Sequence, residues 1–246
     1  MSDVNSEWVT AVSDCLKSGS IEVPRGLAVR ERLCKTTTVD MSRPVLTIKS
    51  RRLSYKFMAA EAAWILSGDN RLAPLLPYNK RMASYSDDGV HLSGAYGPMV
   101  VEQLPYVVRC LESDPSSRQA VMTVWRPRPG ASKDVPCTVS LQFLVRGGRL
   151  HVVDTMRSSD LWLGWPYDVF SMSMIALRVS QLLKHHPPLG QLHLTAGSSH
   201  VYESDIEAVR RVLFDVDDSW SPRTVSDDVD LVEWLWARAE DGGLVS

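Results

Sequence analysis

The sequence predicts an α/β protein in which strands and helices alternate along the chain, and three observations carry that prediction. Short runs rich in β-branched and aromatic residues, above all Val139-Ser140-Leu141-Gln142-Phe143-Leu144-Val145, show the period of half-buried strands. Gly147-Gly148 then reads as a hairpin turn into a second such run. Between the strand-like runs lie longer stretches with apolar residues at helical spacing. With 246 residues, 44% of them hydrophobic, the chain can build a proper core.

Trp8, Val9, Val12 and Leu16 fall at helical intervals and predict an amphipathic first helix over 7–16. Ile21-Glu22-Val23-Pro24-Arg25-Gly26 follows as a loop, in which Arg25 by itself reads as a solvated charge. Strands are predicted over 36–41 and 45–48, with Ser42-Arg43-Pro44 as the turn between them. From Leu53 the spacing changes: Tyr55, Phe57, Met58, Ala62, Trp64, Ile65 and Leu66 mark a helix ending at Ser67-Gly68-Asp69. Glu61 lies inside it, one turn before Trp64. It is either a glutamate on a polar face or a carboxyl whose pKa burial raises into the range useful for proton transfer. Residues 71–97, with Pro74, Pro77, Asp87-Asp88-Gly89 and Gly94-Ala95-Tyr96-Gly97, predict an irregular segment of the kind that carries function. A helix over 101–111 closes at Ser113-Asp114-Pro115, and Arg118 precedes a strand over 120–125. The polar, proline-bearing stretch 126–133 reads as a mobile loop leading to Cys137.

Cys137 follows a proline at the entrance of the strand over 139–145. The return strand over 150–153 delivers Arg157, Ser158 and Asp160 at its far end. A hairpin thus brings a thiol close to a guanidinium, and a neighbouring cation is expected to lower the thiol's pKa. The apolar helix over 170–183 carries Ser171, Ser173 and Ser180 as marks of close packing. Beyond it, His185 and His186 point to different faces of a helix with no third ligand at suitable spacing, so no metal site is predicted. A strand from 192–194 runs into Gly197-Ser198-Ser199-His200-Val201-Tyr202, where β geometry turns His200 and Tyr202 to one side. On pattern alone these two read equally as a satisfied core histidine and a half-buried tyrosine. A helix over 205–214 and an apolar segment over 231–236 complete the chain.

A net charge of −2 gives no large basic field, which argues against duplex nucleic acid as the main partner. No basic-then-apolar N-terminal segment and no apolar run of membrane-spanning length are visible, so a cytoplasmic protein is expected. Cys15, Cys34, Cys110 and Cys137 are scattered with no CxxC spacing, which predicts reduced thiols and no structural zinc. Of these, Cys15, Cys34 and Cys110 are expected in the core.

Pro136-Cys137, Gln142-Phe143, Arg157-Ser158-Ser159-Asp160, Leu163-Gly164-Trp165-Pro166-Tyr167-Asp168 and Gly197–Tyr202 resemble, in order and spacing, the thymidylate synthase superfamily. Several departures resemble its pyrimidine-nucleotide (deoxycytidylate) hydroxymethylase branch. The resemblance implies one catalytic domain over 1–246, with a mixed twisted sheet flanked by helices and dimerising through that sheet. It implies a pyrimidine nucleoside monophosphate as substrate and 5,10-methylenetetrahydrofolate as co-substrate, with no metal. Cys137 would add to C6 and so make C5 nucleophilic enough to attack the one-carbon donor. Glu61 is implied as general base or acid, and Arg157 as stabiliser of the thiolate and phosphate ligand with Ser158 and Arg25. Arg118 would cross a homodimer to the partner's phosphate site. Gln142, Ser159, Asp160, His200 and Tyr202 are implied as further substrate contacts, the last two on a sugar hydroxyl. Trp64, Tyr96, Asp160 and Gly164 are implied as folate contacts.

The departures point to water as a reactant. Thr138 stands where thymidylate synthases usually carry histidine, and Met82 and Tyr85 replace two tryptophans that shield the intermediate. Gln119 replaces a second arginine, and Gly-Gly-Leu-Val-Ser stands in place of the apolar tail that folds over the substrate. Asp168 replaces an asparagine whose amide donates to uracil O4 and accepts from N3–H. An ionised carboxylate only accepts; it suits the N4 amino group of cytosine, with a proton shared towards N3, and opposes uracil O4. The expected reaction is therefore dCMP, 5,10-methylenetetrahydrofolate and water giving 5-hydroxymethyl-dCMP and tetrahydrofolate. The alternatives are a dUMP or CMP hydroxymethylase, a dCMP 5-methyltransferase, a thymidylate synthase and, outside catalysis, a nucleotide- or RNA-binding regulatory relative.

Overall fold

In the computed structural model, which describes residues 3–126, 131–214 and 230–245, the strand-like runs of the sequence assemble into one mixed sheet. Its strands are β1 (Ser20–Glu22), β2 (Val29–Asp40), β3 (Val121–Thr123), β4 (Thr138–Arg146), β5 (Arg149–Asp160) and β6 (Leu189–Tyr202). They lie in the order β1-β2-β6-β5-β4-β3. Every neighbouring pair is antiparallel except β5 and β6, which run parallel. That pairing needs a crossover, and α4 (Trp165–Leu182) supplies it.

Alternation along the strands decides what each face buries. Leu141 and Phe143 of β4, Val152 and Met156 of β5, and Leu192, Leu194 and Ala196 of β6 are all buried. α4 packs across β5 and β6 and against α2 (Tyr55–Leu66), and α2 in turn packs on α6 (Leu231–Asp241). Four alanines of α2, at 59, 60, 62 and 63, are buried and let the helix approach its neighbours closely. Two tryptophans fill the core with their N–H groups satisfied: Trp8 of α1 (Val4–Ser18) donates to the Leu161 carbonyl at 2.7 Å, and Trp165 to Thr37 Oγ1 at 2.9 Å. Truncating either would cost about 3–5 kcal/mol. On the opposite sheet face Thr36 and Thr195 are hydrogen-bonded at 2.8 Å.

Three expectations need correction. Residues 45–48 are buried but form no strand, because side chains satisfy their backbone. Asn5 accepts from the Thr47 N–H and donates to its hydroxyl, while Tyr55 donates to the Leu46 carbonyl. Cys34 is exposed rather than core, at φ 52 in β2, where the register with β6 skips it between Leu33 and Lys35. The helix expected over 170–183 begins at Trp165, with Pro166 near its start, so Asp168 falls in its first turn. Of the loop over 126–133, residues 127–130 lie outside those described, and Asp87 ties down the Ser132 hydroxyl and the Lys133 N–H. The segment over 97–113 is α3, and 206–214 is α5. No helix among the described residues is long and apolar enough to cross a membrane.

Candidate active site

Cys137 is half-buried at the entrance of β4, and two clamps hold its backbone. The Tyr96 hydroxyl, at the head of α3, accepts from the N–H groups of Cys137 and Thr138 at 3.3 and 3.2 Å. From β5, Arg157 donates through Nε to the Pro136 carbonyl and through Nη2 to the Val135 carbonyl, both at 2.9 Å. The Arg157 N–H also donates to the Cys137 carbonyl at 2.8 Å. The expected lowering of the thiol pKa does not occur. Burial, followed by the charge of Asp168, pushes Cys137 up to about 11, and the Arg157 charge only partly offsets this. The guanidinium acts here first as a brace for the loop.

Beside the thiol loop lies a cavity lined by Glu61, Trp64, Ile65, Met82, Leu92, Gly94, Ala95, Tyr96, Asp134, Asp168 and Ser171. Glu61 is the acid on an otherwise buried stretch of α2, and burial with the Asp168 charge pushes it up to about 8. Asp168, from the first turn of α4, is pushed up to about 7 by burial and then by the charge of Asp160. Tyr96 is raised by burial and by the same Asp168. Two carboxyls titrating near neutrality in one cavity form an acid–base arrangement. Trp64 is fixed by its N–H donating to the Arg71 carbonyl at 3.0 Å. Asp134 accepts from the Gly94 N–H, and a Cβ on Gly94 would come 2.8 Å from the Asp134 carboxylate, which would have to shift to make room.

A second group sits where β5 meets α4. Asp160 accepts from the N–H groups of Trp162 and Leu163 at 2.9 and 3.0 Å and caps the turn that leads through Gly164 into α4. Burial raises its pKa, and the two N–H groups and His200 oppose that rise. His200, 8% exposed, is the register partner of Asp160 on β6, and its ring meets that of Tyr202 edge-on at 5.4 Å. Ser158 is half-buried, and Ser159 is buried with its hydroxyl unpaired among the described residues.

Glu61, Trp64, Tyr96 and Asp168 are thus brought together around one cavity beside Cys137, with Asp160 linking electrostatically to both Asp168 and His200. Three expected substrate contacts lie away from this cavity, one of them, Arg118, expected at a partner's site rather than its own. Arg25 is in the exposed turn Pro24–Gly26, at φ 53. Arg118 is exposed, and its carbonyl accepts from the Gln142 amide at 2.8 Å, which engages Gln142 away from the cavity. Sequence reasoning missed Asp134, Ser171 and Asp154. For Asp154 a signal existed: strand alternation puts it on the buried face between Val152 and Met156. Among the described residues no group of three or more His, Cys, Asp or Glu side chains is placed to hold a metal.

Comparison with known proteins agrees with this arrangement at the level of family. The profile of the family described as thymidylate synthase matches residues 6–223. Among curated proteins, the chain is similar to a deoxyuridylate hydroxymethyltransferase of Bacillus phage SP01, 27% identical over 249 residues. That alignment covers 92% of this chain and 63% of the phage protein, so the chain spans less than two thirds of its relative.

Proposed function

The chain belongs to the thymidylate synthase family, and from that premise we propose that it hydroxymethylates a pyrimidine nucleoside monophosphate at C5, with deoxycytidylate as its preferred substrate. The observation that carries the choice of base is Asp168, a carboxyl facing the cavity beside Glu61 where an amide would read uracil. Trp64, Ile65, Met82, Leu92 and Tyr96 give the cavity an apolar, partly aromatic lining that fits a flat heteroaromatic ring such as that of a folate. When bound, 5,10-methylenetetrahydrofolate supplies a one-carbon unit at the oxidation level of formaldehyde.

The residues of the chain do the rest. Cys137 holds its proton at neutral pH in the free protein, so its ionisation has to accompany nucleotide binding. The thiolate forms a bond to C6, which moves electron density onto C5 and allows C5 to take the one-carbon unit. Glu61, titrating near 8, is suited to removing the C5 proton, so that the bond from the one-carbon unit to the folate nitrogen breaks, tetrahydrofolate is released and an exocyclic methylene is left on the Cys137-bound nucleotide. Water adds to that methylene, the S–C6 bond breaks and the 5-hydroxymethyl product leaves. His200 and Tyr202 are assigned to a sugar hydroxyl, Asp160 and Gly164 to the folate side, and Ser158 and Ser159 to the phosphate side. Residues 1–246 act as one catalytic unit in a homodimer formed through the sheet. Arg25 and Arg118, both exposed, are assigned to phosphate, Arg118 to the partner's.

A second reading is deoxyuridylate, favoured by the name of the phage relative. A neutral Asp168 also supports it, since its O–H can donate to O4 while its carbonyl accepts from N3–H. The decisive measurement is a side-by-side assay of dCMP, dUMP and CMP with the folate donor, reading product mass and dihydrofolate. Hydroxymethyl product without dihydrofolate is expected, fastest with dCMP, and Cys137→Ser should abolish it. A methyl product with dihydrofolate, or undiminished turnover by the serine variant, overturns the proposal.

A further inference from the structure

Beneath the candidate site lies a carboxyl that the proposed reaction does not use. Asp154 occupies an inward position of β5 and has no exposed surface. In register it lies between Leu141 of β4 and Leu194 of β6, and α4 packs across β5 and β6. Among the described residues neither of its oxygens has a hydrogen-bond partner. A buried polar group without partners is costly, and an apolar residue of similar size would suit these neighbours better. Two more unpaired hydroxyls belong to the same region. Thr138 Oγ1 is fully buried opposite Met156, and Ser171 Oγ lines the cavity one turn along α4 from Asp168.

We propose that Asp154 is a positioning residue for Asp168: buried with both oxygens unpaired beneath α4, it gives Asp168 a hydrogen-bond donor from below through one interior water shared with Ser171, and so orients the carboxyl that meets the base. Burial and the charge of Asp168 keep Asp154 protonated well above the usual carboxylate range, so the donor is present at neutral pH. The other titratable groups acting around Asp168 are Glu61 from α2, Asp160 from the end of β5, Tyr96 from the head of α3 and Cys137 ahead of β4. Of these, Asp160 adds its charge to burial in opposing a negative charge on Asp168. A donor from Asp154 works the other way and favours the ionised form, the one that accepts from a cytosine amino group.

The inference rests on Asp168 as the base-reading group, and its test is separable from the reaction. In the free protein, ¹³C-carboxyl resonances followed against pH report the Asp168 midpoint, assigned through Asp168→Asn. Asp154→Leu is expected to raise that midpoint by about one pH unit, a tenfold change in ionisation, and to lower the dCMP-to-dUMP preference in binding. Asp154→Asn keeps a donor and should return both towards wild type. An unmoved midpoint in Asp154→Leu, or equal displacement in the leucine and asparagine variants, overturns the inference. Should the leucine variant fail to fold, Asp154→Val carries the same comparison. A wild-type protein with no transferase activity would sink the proposed reaction and leave the titration to decide on Asp154.

Discussion

Below about pH 7 the Asp168 carboxyl keeps its proton, and a neutral carboxyl offers one donor and one acceptor. In that form it can satisfy uracil through O4 and N3–H, or cytosine through N3 and the amino group. Above pH 7 it only accepts. Cytosine can still pair, its amino group donating and its basic N3 keeping a shared proton with the carboxyl, whereas uracil O4, a far weaker base, meets a carboxylate, a mismatch worth about 1–3 kcal/mol in a buried site. The preference for dCMP over dUMP should therefore rise by about tenfold or more as the pH is taken up through 7. Asp168→Asn removes the titration: its preference should move towards dUMP and stay level with pH. The ratio of kcat/KM for the two nucleotides on either side of neutrality measures both effects. A level ratio in the wild type would take base selection away from Asp168.

At the scale of elements, β5 organises the site, since it carries the brace for the thiol loop, the cap of the turn into α4 and the register partner of His200. Lysine in place of Arg157 would keep the charge and lose the fork that grips two successive carbonyls. The Cys137 loop should then shift, and a displacement of about 1 Å can cost on the order of a hundredfold in rate. Arg157→Lys is expected to show that loss in single-turnover rate while its thermal midpoint changes little. A lysine variant as fast as wild type would show that the brace is not needed. The β4–β5 hairpin was legible because alternation and a Gly-Gly turn are local signals, and Cys137 and Asp168 stood out by their immediate neighbours. Residues 45–48 were misread because Asn5 and Tyr55, which satisfy their backbone, are distant or outside the run itself. The parallel pairing of β5 with β6 and the engagement of Gln142 by Arg118 depend on the same kind of long-range geometry. The direction of the Cys137 shift was lost for a related reason: a sequence places the cation but does not weigh it against burial.

Across the whole molecule the same buried carboxyls set the dependence of stability on pH. Glu61 is pushed up to about 8, Asp168 to about 7, and Asp154 is raised as well. Between the unfolded values near 4 and these raised values, the folded protein holds protons that the unfolded chain has released. The contribution of these carboxyls should therefore be full below about pH 4 and be lost progressively as the pH rises from there through 7 and 8. Asp69, held down to about 2 by Arg71, acts in the opposite sense, as do Asp14, Asp87 and Glu112. Their contribution is present above pH 4 and lost as the pH falls below it. These groups lie in exposed ion pairs and hydrogen bonds, where screening keeps each effect small. The thermal midpoint should thus peak near pH 4 and decline towards pH 8, by about 2–4 °C for each kcal/mol lost. Glu61→Gln, which cannot titrate, should flatten the decline. Scanning calorimetry across a buffer series measures both slopes. A midpoint climbing steadily from pH 5 to pH 8 would mean that these carboxyls are ionised in the folded protein. Glu61 would then lack the proton affinity that suits it to accept a proton from C5, and the acid–base assignment would fall with it.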